Sequence, residues 1–192
     1  MESSPSDGEL LARSVDEPAA FAGIYERHGL PVRRYVVRRV GEGSGDDLGS
    51  EVFVRAFRGR ARYRAEHSSA LPWLLGIANH VIADHRRVER RRLTALEHLA
   101  GDRPPTDEHA GAGLALELVA ALRALPAVER DTLLLVVWGE LTQEEAAVAL
   151  GVPVGTVSSR ITRARQRLAE SSLRAGSSPS NPNLRPSGEA NV

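Results

Sequence analysis

Apolar positions along residues 141–168, LTQEEAAVALGVPVGTVSSRITRARQRL, recur at the three-and-four spacing of helices on both sides of a Gly-x-Pro break. Thr142 is a good N-cap and Glu145, three residues on, completes a capping box. Ala146, Ala147 and Leu150 give this first helix a small apolar face, and Gly151 suits the left-handed residue that ends it. Pro153 fits the first turn of a second helix. At about 100° per residue, Val154, Val157, Ile161, Ala164 and Leu168 share its packing face. Thr156, Ser159, Arg163, Gln166 and Arg167 point the other way, with Arg160 on the flank. A solvated amphipathic helix would show a similar polar face. The capped helix and tight turn ahead of it favour a DNA-binding helix-turn-helix instead, with hydroxyls and arginines placed to meet base edges and phosphates in the major groove.

The same periodicity organises the rest of the chain. Residues 1–17 are expected to form a flexible N-terminus, apart from a short helix around Leu10, Leu11 and Val15. From Pro18, the positions Phe21, Ile24, Tyr25, Val32, Tyr35, Val36 and Val40 predict a helix with a break or kink at Gly29 and Pro31. GEGSG at 41–45 is expected to be a loop. A helix then opens at Asp46 and Asp47 with the stripe Leu48, Val52, Phe53, Ala56 and Phe57. RYRAEHSSA, residues 62–70, has no period and is expected to be a turn. A third helix starts at Pro72, carries Trp73, Leu74, Ile77 and Val81, and ends in five arginines within 86–92. Residues 99–113 are a Pro-, Gly- and acid-rich linker. Apolar spacing resumes with Leu114, Leu116, Leu118, Val119, Leu122 and Leu125, and then in a Pro-started helix whose core would be Val128, Leu133, Leu134, Val136 and Val137. Residues 175–192, rich in Ser, Pro and Asn, are expected to be disordered. The fold class is therefore all-α, with two small helical domains at 18–98 and 114–174 joined by a flexible linker.

Composition sharpens this picture. Hydrophobic residues make up 42% of the chain, enough for a core, while only 4% are aromatic, so Leu, Val and Ala must build it. The formal net charge is zero, but it is unevenly spread. Residues 31–98 hold fourteen arginines against eight acids, a net of +6, and residues 156–175 hold five arginines against Glu170. There is no lysine, which excludes lysine-dependent phosphate loops and Schiff-base chemistry. There is no cysteine, which excludes disulfides, thiolate nucleophiles and zinc knuckles and makes a reducing cytoplasm the simplest location. No apolar run reaches the roughly 18 residues that span a bilayer, and the acidic N-terminus lacks signal-peptide features, so no membrane insertion is expected. His80 and His85 stand five apart, off the spacing of a helical metal pair, so no metal or other cofactor is expected.

Tyr63 and Trp73 border the polar turn beside the arginine-rich helix end. Aromatics next to cations are a common way to stack and hold unpaired bases, although Trp73 could equally be core.

These segments together resemble the extracytoplasmic-function sigma factors of bacterial RNA polymerase, from about Phe21 to Leu173. The resemblance is carried by FAGIYERHGLPVRRYVVRRV, DDLGSEVFVRAFR and PWLLGIANHVIADHRR, and then by LPAVERDTLLLVVWGELTQEEAAVALGVPVGTVSSRITRARQRL, in that order and spacing. It implies a first domain that docks on the clamp of core RNA polymerase, formed by its β and β′ subunits, and reads and melts the minus-ten promoter element. It also implies a second domain that reads the minus-thirty-five duplex. Asp46, Asp47, Leu48, Glu51, Val52, Phe53 and Arg55 would meet the polymerase. Tyr63, Arg64, His67, Ser68, Ser69, Trp73, Asn79 and His80 would hold the opened minus-ten strand, with Arg86 and Arg87 on phosphates. Thr156, Ser158, Ser159, Arg160, Arg163 and Arg167 would engage the upstream duplex. An anti-sigma factor is the implied inhibitor. The chain departs from the family pattern at Asn79 and His80, where an arginine and an asparagine are usual, at Ser158 in place of a basic residue, and in the glycines around Gly49.

Two other classes are open to a chain with these features. A stand-alone helix-turn-helix regulator would not need DDLxxEVF and PWLxxIA upstream, and it would normally dimerise on two half-sites. A nucleic-acid enzyme would need a catalytic constellation, and with neither lysine, cysteine nor an HExxH segment the chain offers only scattered carboxylates.

Overall fold

The computed structural model describes residues 4–65, 67–100 and 113–176, with side chains for 4–65, 67–95 and 118–173. Its helices are α1 (Asp7–Arg13), α2 (Ala22–Val40), α3 (Glu42–Gly59), α4 (Leu71–Ala100), α5 (Gly113–Ala124), α6 (Ala127–Val137), α7 (Gln143–Leu150) and α8 (Val154–Gly176), with short 3₁₀ turns at Pro18–Phe21 and Arg60–Arg62. Among the described residues there is no strand, and no helix is long and apolar enough to cross a membrane. Most of the linker at 99–113 and of the tail at 175–192 lies outside the described residues.

In the first half α2, α3 and α4 pack against one another through Ile24, Val32, Tyr35, Val36, Val52, Ala56, Leu74, Ala78, Val81 and Ile82, all buried. The α3 stripe is as expected, with Val52, Phe53 and Ala56 buried and Leu48 and Phe57 packed at its margin. Three details differ from the sequence reading. The helix α2 continues through Pro31, because the buried residues on either side hold it although the proline removes one backbone donor. Tyr25, expected in the core stripe, is 58% exposed. The helix α3 begins at Glu42 rather than Asp46, so GEGSG is mostly helical. Within that added turn a Cβ on Gly45 would run into Val37 of α2, and only glycine lets the two helices approach so closely there. The N-terminal segment also carries more order than a flexible tail: α1 is capped by Ser6 with Glu9 as its partner, and Leu10 and Leu11 are buried against α2.

In the second half α6, α7 and α8 pack through Leu133, Leu135, Leu141, Ala146, Val157, Ile161 and Ala164. Val128 and Val137, expected inside, lie 55% and 53% exposed, as do Leu118 and Val119 on α5 at 56% and 45%; Leu134 and Leu135 take the inward positions of α6. The two halves share one core, with α7 lying on α4. A Cβ on Gly76 of α4 would strike the carbonyl oxygen of Ala149, so the absence of a side chain at Gly76 is what allows α7 to lie against α4. A polar link reinforces it: Arg39 of α2, its side chain 1% exposed, donates to Asp131 of α6 at 2.6 Å.

Candidate nucleic-acid and partner surfaces

The helix-turn-helix is built from local signals. Thr142 Oγ1 accepts the Glu145 N–H at 3.1 Å while the Thr142 N–H donates to Glu145 Oε2 at 2.8 Å. Gly151, at φ 63°, ends α7, and the Val152 N–H returns to the Ala147 carbonyl at 3.0 Å. The buried face of α8 is Val157, Ile161 and Ala164, with Leu168 half-buried; Val154, the first residue of α8, is 40% exposed. Ser158, Ser159, Arg163 and Arg167 are exposed, and Thr156 and Arg160 half-buried. Arg163 and Arg167 share one partner. Their Nε atoms lie 3.2 and 3.1 Å from the two carboxylate oxygens of Glu129, whose side chain is 7% exposed at the start of α6. The Arg163 contact is a hydrogen bond, and the Arg167 contact is an ion pair off the hydrogen-bond line, leaving Glu129 Oε2 otherwise unbonded. A buried carboxylate thus orients two guanidinium groups on the polar face of α8.

The minus-ten candidates divide. Tyr63 and Trp73 pack ring to ring at 5.0 Å and 59°. With Arg64, His67 and Ser69 they line one wall of a cleft of about 710 Å³, and Glu144, Val148, Val152 and Pro153 of the helix-turn-helix line the other. Ser68 is exposed, and Ser69 Oγ accepts the Leu71 N–H at 3.1 Å in a local turn ahead of α4. His80 and Arg87 are exposed on α4, with Arg87 3.6 Å from Asp84. Asn79 is turned inward instead: its Oδ1 accepts from Tyr35 Oη at 2.7 Å and from Arg39 Nη1 at 3.0 Å, in the network that includes Asp131. Burial pushes the Tyr35 phenol up to about 12. Arg86 is half-buried and donates to the Arg39 carbonyl at 2.9 Å; burial, with Arg39 and Arg130 nearby, draws it down to about 10, so it stays charged at neutral pH.

Elsewhere on the first half, α2 and α3 line a groove of about 460 Å³. Tyr25 and Leu30, 58% and 62% exposed, form its apolar lip, and the Tyr25 ring meets Phe53 edge-on at 4.9 Å. Arg33 donates to Asp46 at 2.5 Å across it, which raises the Arg33 pKa. Asp47 and Val54 are exposed. Glu51 holds Arg55 at 2.8 Å, and Arg55 reaches Asp84 on α4 at 2.9 Å. Of the polymerase-facing candidates, Asp46 and Phe53 line this groove, Leu48 packs at the core margin, Val52 is core, and Glu51 and Arg55 form an ion-pair chain towards α4.

Known proteins are similar to this chain in sequence and in fold. Residues 24–92 match the model for sigma-70 region 2 and residues 115–168 the model for sigma-70 region 4. The chain is 36% identical over 194 residues to the ECF RNA polymerase sigma factor SigD of Mycobacterium tuberculosis, covering 92% of both chains. It is 41% identical over 143 residues to SigC of the same organism, covering 71% of this chain and 75% of SigC. The chain belongs to the ECF sigma factors. Its fold is similar to that of CnrH in complex with the cytosolic domain of CnrY, with a TM-score of 0.61 at 22% identity, covering 91% of this chain and 100% of that one. It also resembles RpoE from Bartonella quintana in complex with the anti-sigma factor NepR, with a TM-score of 0.55 at 20% identity, covering 82% and 97%.

Sequence reasoning missed several residues of this sigma factor that shape these surfaces. Glu129, Leu30 and Arg33 are not singled out by the periodicity, and Tyr25 stands only as one position of a helical stripe. Arg39, Asp131 and Asp7 carry no local signal at all. The only local signal at Glu129 is its place as an acid in the first turn of α6.

Proposed function

We propose that this sigma factor binds core RNA polymerase at its β and β′ subunits and directs promoter-specific initiation, with no chemistry of its own, in the cytoplasm. The groove between α2 and α3, with the Arg33–Asp46 pair and the Tyr25–Leu30 lip, is the surface for the polymerase clamp. The same groove, apolar and rimmed by charge, suits an anti-sigma factor as a competing occupant; both structural neighbours were solved with inhibitory or cytosolic partners of their own. The polar face of α8, from Thr156 to Arg167, reads the minus-thirty-five duplex. Tyr63, Trp73, the polar turn and exposed His80 take the minus-ten strand as it opens, with Arg87 on phosphates.

The observation that carries this reading is that one chain pairs a helix-turn-helix whose arginines are oriented by Glu129 with an aromatic-lined turn on a separate helical unit. In the structure both line one cleft. The two promoter elements lie about 25 base pairs apart, roughly 85 Å at 3.4 Å per base pair. Engaging both at once therefore requires the halves to part at Arg39–Asp131 and Gly76–Ala149. Asn79 stays tied to Tyr35 and Arg39 of α2 whether or not the halves part, so it remains behind the minus-ten surface.

The test is transcription from a genomic promoter library by core polymerase with and without the protein, with start sites mapped. Start sites that depend on the protein and share two spaced elements are expected. Duplex binding by the protein alone, without gained initiation, would contradict the reading.

A further inference from the structure

We propose that α1 is a brace behind the minus-ten turn and that Asp7 is its positioning residue, an inference that rests on the turn being the minus-ten reader. The helix touches the turn at its start, middle and end. Arg60 Nε, where the turn begins, donates to the Ser14 carbonyl at the end of α1 at 3.0 Å. Gly8 lies against Ala65 so closely that a Cβ would stand 3.0 Å from the Ala65 methyl. The Ala70 N–H, where the turn ends, donates to Asp7 Oδ2 at 2.8 Å. The same carboxylate, 5% exposed, accepts from His28 Nε2 at 2.6 Å and from Arg27 Nη1 at 2.9 Å, both on α2.

The chemistry explains why a carboxylate stands at position 7. Ala70 immediately precedes α4, so its N–H finds no carbonyl partner within that helix, and it is buried. An acceptor has to come from elsewhere. Leu10 and Leu11 already dock α1 by burial, which is strong but non-directional. Asp7 adds direction, because it fixes the backbone of Ala70 at a set distance from Arg27 and His28 on α2. Ser69, His67 and Trp73 flank that fixed point, so the spacing of the proposed strand-capturing groups is set from behind by a residue that touches no DNA.

The experiment uses the full chain in holoenzyme. Asp7→Ala and Asp7→Asn are compared with the unaltered protein for core binding, for affinity to a single-stranded minus-ten oligonucleotide and for opening of a duplex promoter; amide hydrogen exchange at Ala70 is followed in the free chain. For Asp7→Ala, Ala70 exchange should accelerate and strand affinity and opening should each fall roughly tenfold, while core and upstream-duplex binding hold. Asp7→Asn keeps one acceptor oxygen and should recover part of the loss. Unchanged strand capture with faster Ala70 exchange would overturn the brace. So would a parallel loss of core binding and strand capture in both variants, which marks Asp7 as merely structural. If the unaltered holoenzyme itself ignores the single-stranded oligonucleotide, it is the minus-ten reading of the turn that fails.

Discussion

The two proposed DNA readers of this sigma factor are built on different plans. The helix α8 is regular, its cap, turn and buried stripe are written in consecutive residues, and its arginines are aimed by one acid on the neighbouring helix. The minus-ten turn is irregular backbone, held at both ends by side chains distant in sequence, such as Asp7 63 positions from Ala70 and Arg60 46 from Ser14. A duplex groove has a fixed shape that a rigid helix can match before contact. A strand that must be unstacked has no such shape, and its reader needs groups spaced by the protein itself. The difference teaches that order in the first reader comes from secondary structure and in the second from tertiary ties.

The strongest way to break the comparison is to cut the link that places both readers on one body. Arg39→Ala removes the partner of Tyr35, Asn79 and Asp131 at once. It is expected to cost about 3 kcal/mol of stability, read as a lowered melting midpoint in calorimetry or denaturant titration. Next, Arg163→Ala should weaken upstream-duplex binding by about 1–3 kcal/mol, roughly ten- to a hundredfold, and lower the salt slope by about one, while single-strand binding is unchanged. Trp73→Ala should do the reverse, costing about 1–3 kcal/mol on the minus-ten strand in fluorescence titrations and leaving the upstream duplex alone.

A smaller effect sharpens the contrast from the local side. Thr142→Ala removes the α7 cap and should cost about 1 kcal/mol in a thermal melt without altering minus-ten capture. The last is a pH effect on the tertiary side. Burial opposes the charge on Asp7, but hydrogen bonds from Ala70, Arg27 and His28 outweigh it and hold its pKa below the ordinary carboxylate range. Because the folded pKa is lowered, this stabilisation is complete above the ordinary range and is lost as pH falls through the lowered value. A pH series of melts should show a loss in acid that Asp7→Asn lacks.

Legibility in the sequence followed the same division. Thr142, Glu145 and Gly151 carried the helix-turn-helix because caps act over three or four residues. The stripe of α3 was legible, but its start at Glu42 was not, and within that added turn Gly45 fits against Val37 of another helix. Tyr25 and Val137 sat on apolar stripes yet face outward, because periodicity gives a face and not what covers it. The family resemblance implies a DNA contact at Asn79, and only the partners from α2, 40 and 44 positions away, show it turned inward. The Arg39–Asp131 tie, 92 positions apart, has no sequence signal.

The most direct test of the two-plan account is a binding comparison with holoenzyme on matched promoters, one fully duplex and one pre-opened at the minus-ten element. Arg163→Ala should lose the same factor on both, since its contact is to the upstream duplex. Trp73→Ala should lose affinity on both forms while sparing an isolated minus-thirty-five duplex. Equal losses for both variants on the isolated upstream duplex would contradict separate readers.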